Sequence, residues 1–159
     1  MSLFETTTLA ASDVADTGSV ADAVRTRANV FEMTQAAEDA VLRPRDAGAF
    51  PHNLRAALAA RMSAQAGDQE LAARFANSAD GMTEVSDPAE SGGSAHGDLI
   101  AFVDKAANAT KDISGDDIKL LQTAGFSDAD IVKLCELVAF VSYQLRVVAG
   151  LRLMRGPTS

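Results

Sequence analysis

Cysteine occurs once in the 159 residues, as Cys135. An internal disulfide is excluded, and such usage fits a reducing compartment. Basic residues are also few. Fourteen Lys and Arg stand against 22 Asp and Glu, giving a net charge of −8 and a pI near 4.6. No dense Lys/Arg run occurs, so the basic face of a nucleic-acid binder is missing. A long apolar run is missing too. Between Glu136 and Arg146 only nine uncharged residues intervene, and a bilayer span needs about 20. Alternating Val, Ile, Thr and Tyr are scarce, which argues against strands. Met1 to Val14 carries acids and no basic n-region, so no signal peptide is readable. A soluble, cytoplasmic protein is expected, with no membrane and no nucleic-acid partner.

Catalytic signatures are equally sparse. The glycines of residues 80–97 match no phosphate-loop spacing, and no Lys-Ser/Thr pair follows them. No Ser/His/Asp set, paired carboxylates or metal-ligand spacing is present. No metal and no cofactor is expected. His96, alone in that glycine-rich stretch, reads as solvated.

What is abundant is alanine, in a chain that is 47% hydrophobic with a mean hydropathy of +0.03. A chain this long buries about 70% of its unfolded surface without staples. Residues 1–18, rich in Thr, Ser and Asp, read as an extended or flexible arm. A helical domain follows over 19–155, with a loop at 80–97 and a tail at 156–159. Ser19 starts a first helix, and Val30 to Leu42 form a second with Phe31, Ala37, Ala40 and Val41 inward. Asn53 to Ala66 repeats Leu54, Leu58 and Met62 every four residues among alanines. Asp68 caps a helix through Phe75. Asp98 to Asn108 and Ser114 to Gly125 complete a set of six or seven helices with the last one.

That last helix, Ser127 to Met154, is the longest. Ser127 and Asp130 form a box-like start. Ile131, Leu134, Val138, Val141, Leu145 and Val148 line one face, and Leu137, Phe140, Val147 and Leu151 cover much of the rest. Such a helix is expected to be buried. Its polar strip is Ser142, Tyr143 and Arg146, near Cys135, Ala139 and Gly150. Arg146 is expected near the packing surface, paired with a carboxylate from another segment. Cys135 is expected to be inert packing.

Two stretches resemble the alkylhydroperoxidase D and carboxymuconolactone decarboxylase superfamily. One is Ala124-Gly-Phe-Ser-Asp-Ala-Asp-Ile131 with Val138-Ala-Phe-Val-Ser-Tyr-Gln-Leu-Arg146 and Gly150-Leu151. The other is Leu54-Arg55-Ala-Ala-Leu-Ala-Ala-Arg-Met-Ser-Ala-Gln-Ala-Gly67-Asp68. The resemblance implies an all-α, single-domain alkylhydroperoxidase D-like helical fold and a homo-oligomer, trimeric or hexameric. In that family a Cys-x-x-Cys pair, a histidine four residues on and an earlier glutamate carry out peroxide reduction. The matching positions here are Asp68, Leu71, Phe75 and Ala56. None can act as a thiolate that attacks peroxide and resolves as a disulfide.

The resemblance therefore implies a family member of unknown activity without the dithiol site, binding or transforming a small anionic organic compound. The decarboxylase branch works without the cysteine pair, so an enzyme stays open. His52, Arg55, Tyr143 and Arg146 are the candidate ligand-binding residues, with Arg55 and Arg74 read as surface side chains otherwise. The alternatives are a non-catalytic partner or structural subunit of a related enzyme, and a residual peroxidase-type oxidoreductase using Cys135.

Overall fold

The computed structural model describes residues 2–156, apart from the side chain of Ser94; the tail beyond Gly156 lies outside them. Among the described residues the protein is all-α, with nine helices, two short 3-10 turns and no strand. The helices are α1 (Thr7–Ser12), α2 (Ser19–Thr26), α3 (Ala28–Leu42), α4 (His52–Gln65), α5 (Gln69–Ala76), α6 (Thr83–Ser86), α7 (Gly93–Asn108), α8 (Gly115–Thr123) and α9 (Asp128–Arg155).

The helix enclosed on all sides is α4. Every residue from Leu54 to Ser63 is buried, and α5, α6, α7, α9 and α3 pack around it. Its alanines make this possible, because small side chains let neighbouring helices approach closely while keeping helix propensity. Two arginines are also taken inside, which corrects the surface reading of Arg55. Arg55 is 1% exposed. Its guanidinium donates to the carbonyls of Phe50 at 2.8 Å, Val41 at 2.9 Å and Ala47 at 2.9 Å. It thereby closes the C-terminal end of α3 and the connection to α4, where the carbonyl end of the helix dipole favours a cation. Burial pushes its pKa down, and the charges of Asp130, Glu136 and Asp46 oppose that. Arg61, on another face, pairs through Nε and Nη2 with both Asp104 oxygens at 2.8 Å. Its Nη1 reaches the carbonyls of Asp87 at 2.6 Å and Glu90 at 2.9 Å.

Arg61 explains why residues 80–97 are more ordered than a loop reading implies. A short helix, α6, forms with Val85 fully buried, and α7 begins at Gly93 rather than Asp98. Gly92 precedes it at φ +75, and a Cβ there would clash with Ile100 Cδ1. His96 consequently sits in the first turn of α7.

The N-terminal segment is not an extended arm. Leu9, Ala11 and Ser12 of α1 are buried, and Leu9 joins Val14, Val24 and Leu151 in a satellite core. Its polarity misleads because the hydroxyls are paired within the fold: Ser12 Oγ donates to Leu9 O at 2.8 Å and Thr6 Oγ1 to Leu3 O at 2.8 Å. In α3, Ala37 and Ala40 face solvent; the buried residues are Thr34, Glu38 and Leu42.

The longest helix, α9, opens where expected. Ser127 Oγ accepts from the Asp130 amide at 3.1 Å, while the Asp130 carboxylate takes the Ala49 amide at 2.9 Å. One face, including Ile131, Leu134, Val141 and Val148, enters the core. The opposite face is open, which corrects the expectation of all-round burial. By length and composition α9 could cross a membrane, and 39% of its most apolar 18-residue window is buried here.

Candidate functional site

The inward face of α3 is polar. Phe31, Thr34, Gln35, Glu38 and Leu42 share one side of the helix by their three- and four-residue spacing. Glu38 is 4% exposed, and Gln144 of α9 is fully buried beside it. Gln144 Nε2 donates to Glu38 Oε2 at 2.6 Å and to Thr8 Oγ1 at 3.2 Å. Thr7 Oγ1 donates to Glu38 Oε1 at 2.7 Å, and Gln35 Nε2 reaches the same oxygen at 3.3 Å. Three neutral donors thus hold the carboxylate, and no ion pair to it exists among the described residues. A carboxylate offers about four acceptor positions, so one stays open. Gln144 Oε1 is buried without a partner. Swapping the amide would turn that oxygen onto the carboxylate, so the orientation follows from Glu38.

Glu38 lines a cavity of about 340 Å³ between α3, α4 and α5, together with Thr7, Gln35, Leu42, Arg43, His52, Ala56, Arg74, Phe75, Asn77 and Ser78. The size lies at the small end of the roughly 300–1,000 Å³ typical of ligand sites. Arg43 pairs with Asp39, and Arg74 with Glu70 at 2.9 Å, each one helical turn away on the surface. Exposed pairs of this kind contribute about 0–1 kcal/mol, so both arginines can turn to a ligand at little cost. His52 Nε2 lies 3.0 Å from Pro44 O. A carbonyl only accepts, so Nε2 carries the hydrogen, and a neutral ring keeps Nδ1 as an acceptor. Chemically the cavity offers a buried proton acceptor, an imidazole and two guanidinium groups.

The candidate residues from the sequence divide. His52, Ala56 and Phe75 come together on this cavity. Asp68 does not: it caps α5 by accepting the Leu71 amide at 3.0 Å and forms a two-pronged pair with Arg152 at 2.9 and 3.0 Å. Leu71 is wholly buried core. Arg55 is occupied by three carbonyls. Tyr143 lines an apolar groove of about 310 Å³ between α2, α3 and α9, with its hydroxyl 3.1 Å from Thr34 Oγ1. Arg146 is exposed and has no ion pair or hydrogen bond among the described residues, because it projects from the open side of α9. The expectation of a buried, paired arginine there is corrected. Cys135 is exposed on the same side, against the expectation of packing. Partial desolvation by its neighbours, then the charge of Glu136, pushes its thiol pKa up.

Glu38 was not among the sequence candidates. Its only signal is the spacing of Phe31, Thr34, Gln35, Glu38 and Leu42, masked by the alanines on the other faces of α3. No group of three or more His, Cys, Asp or Glu suited to a metal comes together among the described residues. No protein-family model, curated protein or solved structure matches this chain.

Proposed function

We propose that the protein binds a small organic anion that also carries a hydrogen-bond donor, such as a hydroxy or amino carboxylate. The ligand occupies the cavity between α3, α4 and α5, and thiol redox chemistry plays no part. The single observation carrying this reading is Glu38, buried on the cavity wall with one acceptor position unfilled. A ligand O–H or N–H completes its set. Arg43 and Arg74 supply the positive, hydrogen-bonding groups for the carboxylate end, and His52 Nδ1 is placed to accept from a ligand donor. A plain dianion fits badly, because its charge would meet that of Glu38. Where the ligand is transformed, Glu38 is the group placed to take its proton. The absent dithiol and the raised thiol pKa of Cys135, which faces away from the cavity, leave a residual oxidoreductase without support.

The test is calorimetric titration of hydroxy and amino carboxylates against matched carboxylates lacking the donor. Donor-bearing compounds should bind at least about tenfold tighter, or roughly 1.4 kcal/mol. Glu38→Gln should remove that preference while the circular dichroism of the fold persists. Equal affinity for both panels, or an unaltered preference in Glu38→Gln, refutes the reading. A second reading, a non-catalytic partner or structural subunit, is favoured by one observation: the open face of α9.

A further inference from the structure

The open face of α9 carries Val132, Tyr143, Leu153 and Met154, exposed by 57, 41, 84 and 60%. Val132, Cys135, Ala139, Ser142 and Arg146 are separated alternately by three and four residues, and the same rhythm continues to Leu153. That rhythm is the seam of two helices packed at a shallow angle. One charge, Arg146, lies in it and another, Glu136, flanks it. Glu136 and Arg146 are exposed, and neither has an ion pair or hydrogen bond among the described residues.

These charges decide what fits. If two copies of α9 lay parallel, Glu136 would meet Glu136 and Arg146 would meet Arg146. If they lie antiparallel, with a two-fold axis near Ser142 and Tyr143, residue 146 faces residue 139 of the second copy. Glu136 of that copy is then within one helical turn of Arg146, and the symmetric pair forms on the other side. Val132 meets Leu153, so the most exposed large apolar residue, Leu153, is covered by another exposed one. We propose that α9 pairs antiparallel with α9 of a second copy of this chain, along this face.

The 28-residue helix is about 42 Å long and about 10 Å across. One face therefore offers on the order of 400 Å², against about 800 Å² per partner in a stable interface. The remainder is available next to it, in a groove between α7 and α9 lined by Phe102, Ala106 and Ile113 beside Cys135 and Val138. The pairing is independent of the ligand reading above. It fits a dimer or a hexamer and not an isolated trimer, which contains no two-fold axis.

Sedimentation velocity on the full chain tests it. The unaltered protein should sediment as a dimer or a multiple of one at micromolar concentration, and Ala139→Arg as a monomer. Arg146→Glu and Glu136→Arg should each weaken association about tenfold, because each creates like charges across the axis. Combining the two should restore association to within about threefold of the original. The reversal keeps the test sharp even if Ala139→Arg misfolds. A monomeric unaltered protein overturns the proposal, as does an assembly indifferent to Ala139→Arg. So does a double variant no better than the single ones. Flotation of a monomeric protein with phosphatidylcholine vesicles, lost in Ala139→Arg, would assign the face to a membrane instead.

Discussion

Replacing Arg61 by Met keeps most of the side-chain volume and removes the whole set of polar contacts. The loss begins with Asp104, bound at 2.8 Å through both oxygens, whose side chain is 29% exposed against 4% for Arg61. Breaking a fully buried pair costs about 3–5 kcal/mol. Asp104 can turn partly to water, so the low end applies. The carbonyls of Asp87 and Glu90 lose a charged donor as well, at about 1–3 kcal/mol each while they stay buried; on an exposed segment most of this is recovered by water. A net loss of about 3–4 kcal/mol results, a large share of the 5–15 kcal/mol typical of a domain. With a urea slope of about 2 kcal/mol/M the unfolding midpoint should fall by roughly 1.5–2 M. Hydrogen exchange adds a spatial readout, because amides of residues 83–92 should lose protection before those of α4 and α9. A midpoint shift worth under about 1 kcal/mol at constant slope, with protection of 83–92 retained, would refute the assignment of Arg61 as the peg of this segment.

Arg146→Leu should behave in the opposite way. Measured in the Ala139→Arg background, where pairing is absent, it should change stability by less than about 1 kcal/mol; a larger loss would mean an unseen partner. Acid sensitivity provides another check. The Ser127 hydroxyl and Ala49 amide hold the Asp130 carboxyl below the usual carboxylate range, Lys105 and Ser114 do so for Asp117, and Lys133 and Gly48 for Asp46. Each folded-state pKa is depressed, so this stabilisation is complete above the unfolded value of about 4 and disappears as pH falls through the lower folded values. Stability should thus be flat from neutrality to about pH 5 and decline below about pH 4. Asp130→Asn should make that decline shallower, and an unaltered slope in the variant would contradict the linkage.

The helical class was legible because alanine content, helix caps and three-four spacing act locally. Ser114 and Asp117 form the box that their spacing announces, and Asp68 is the cap it resembles. The polar strip of α9 was legible too, though its meaning was inverted. Ser142, Tyr143 and Arg146 mark the open side rather than a buried pairing site. The cavity was not legible, because it depends on polar residues turned inward. Glu38, Gln144 and Thr8 are separated by up to 136 residues in sequence, and no local pattern distinguishes a buried Glu from a solvated one. Arg55 escaped for a related reason. Its partners are backbone carbonyls, which every sequence possesses and only the fold positions.

Arg152 joins three distant parts of the chain. It grips Asp68 and donates to the carbonyl of Ala11 at 2.7 Å, 141 residues away. Contacts of such separation form late, because the intervening chain must first be ordered. During synthesis at about 5–20 residues per second, α1 leaves the ribosome on the order of ten seconds before the residue that secures it has been made. For that interval α1 lacks α9, its larger docking surface, and has only α3, reached through Thr7, Gln35 and Glu38. Its sequence, Thr-Thr-Leu-Ala-Ala-Ser, contains one large apolar side chain among hydroxyls and methyl groups. A stickier first helix would have that interval in which to find a wrong partner. The hydroxyl-rich start of the chain is therefore suited to waiting in water for the last helix to arrive.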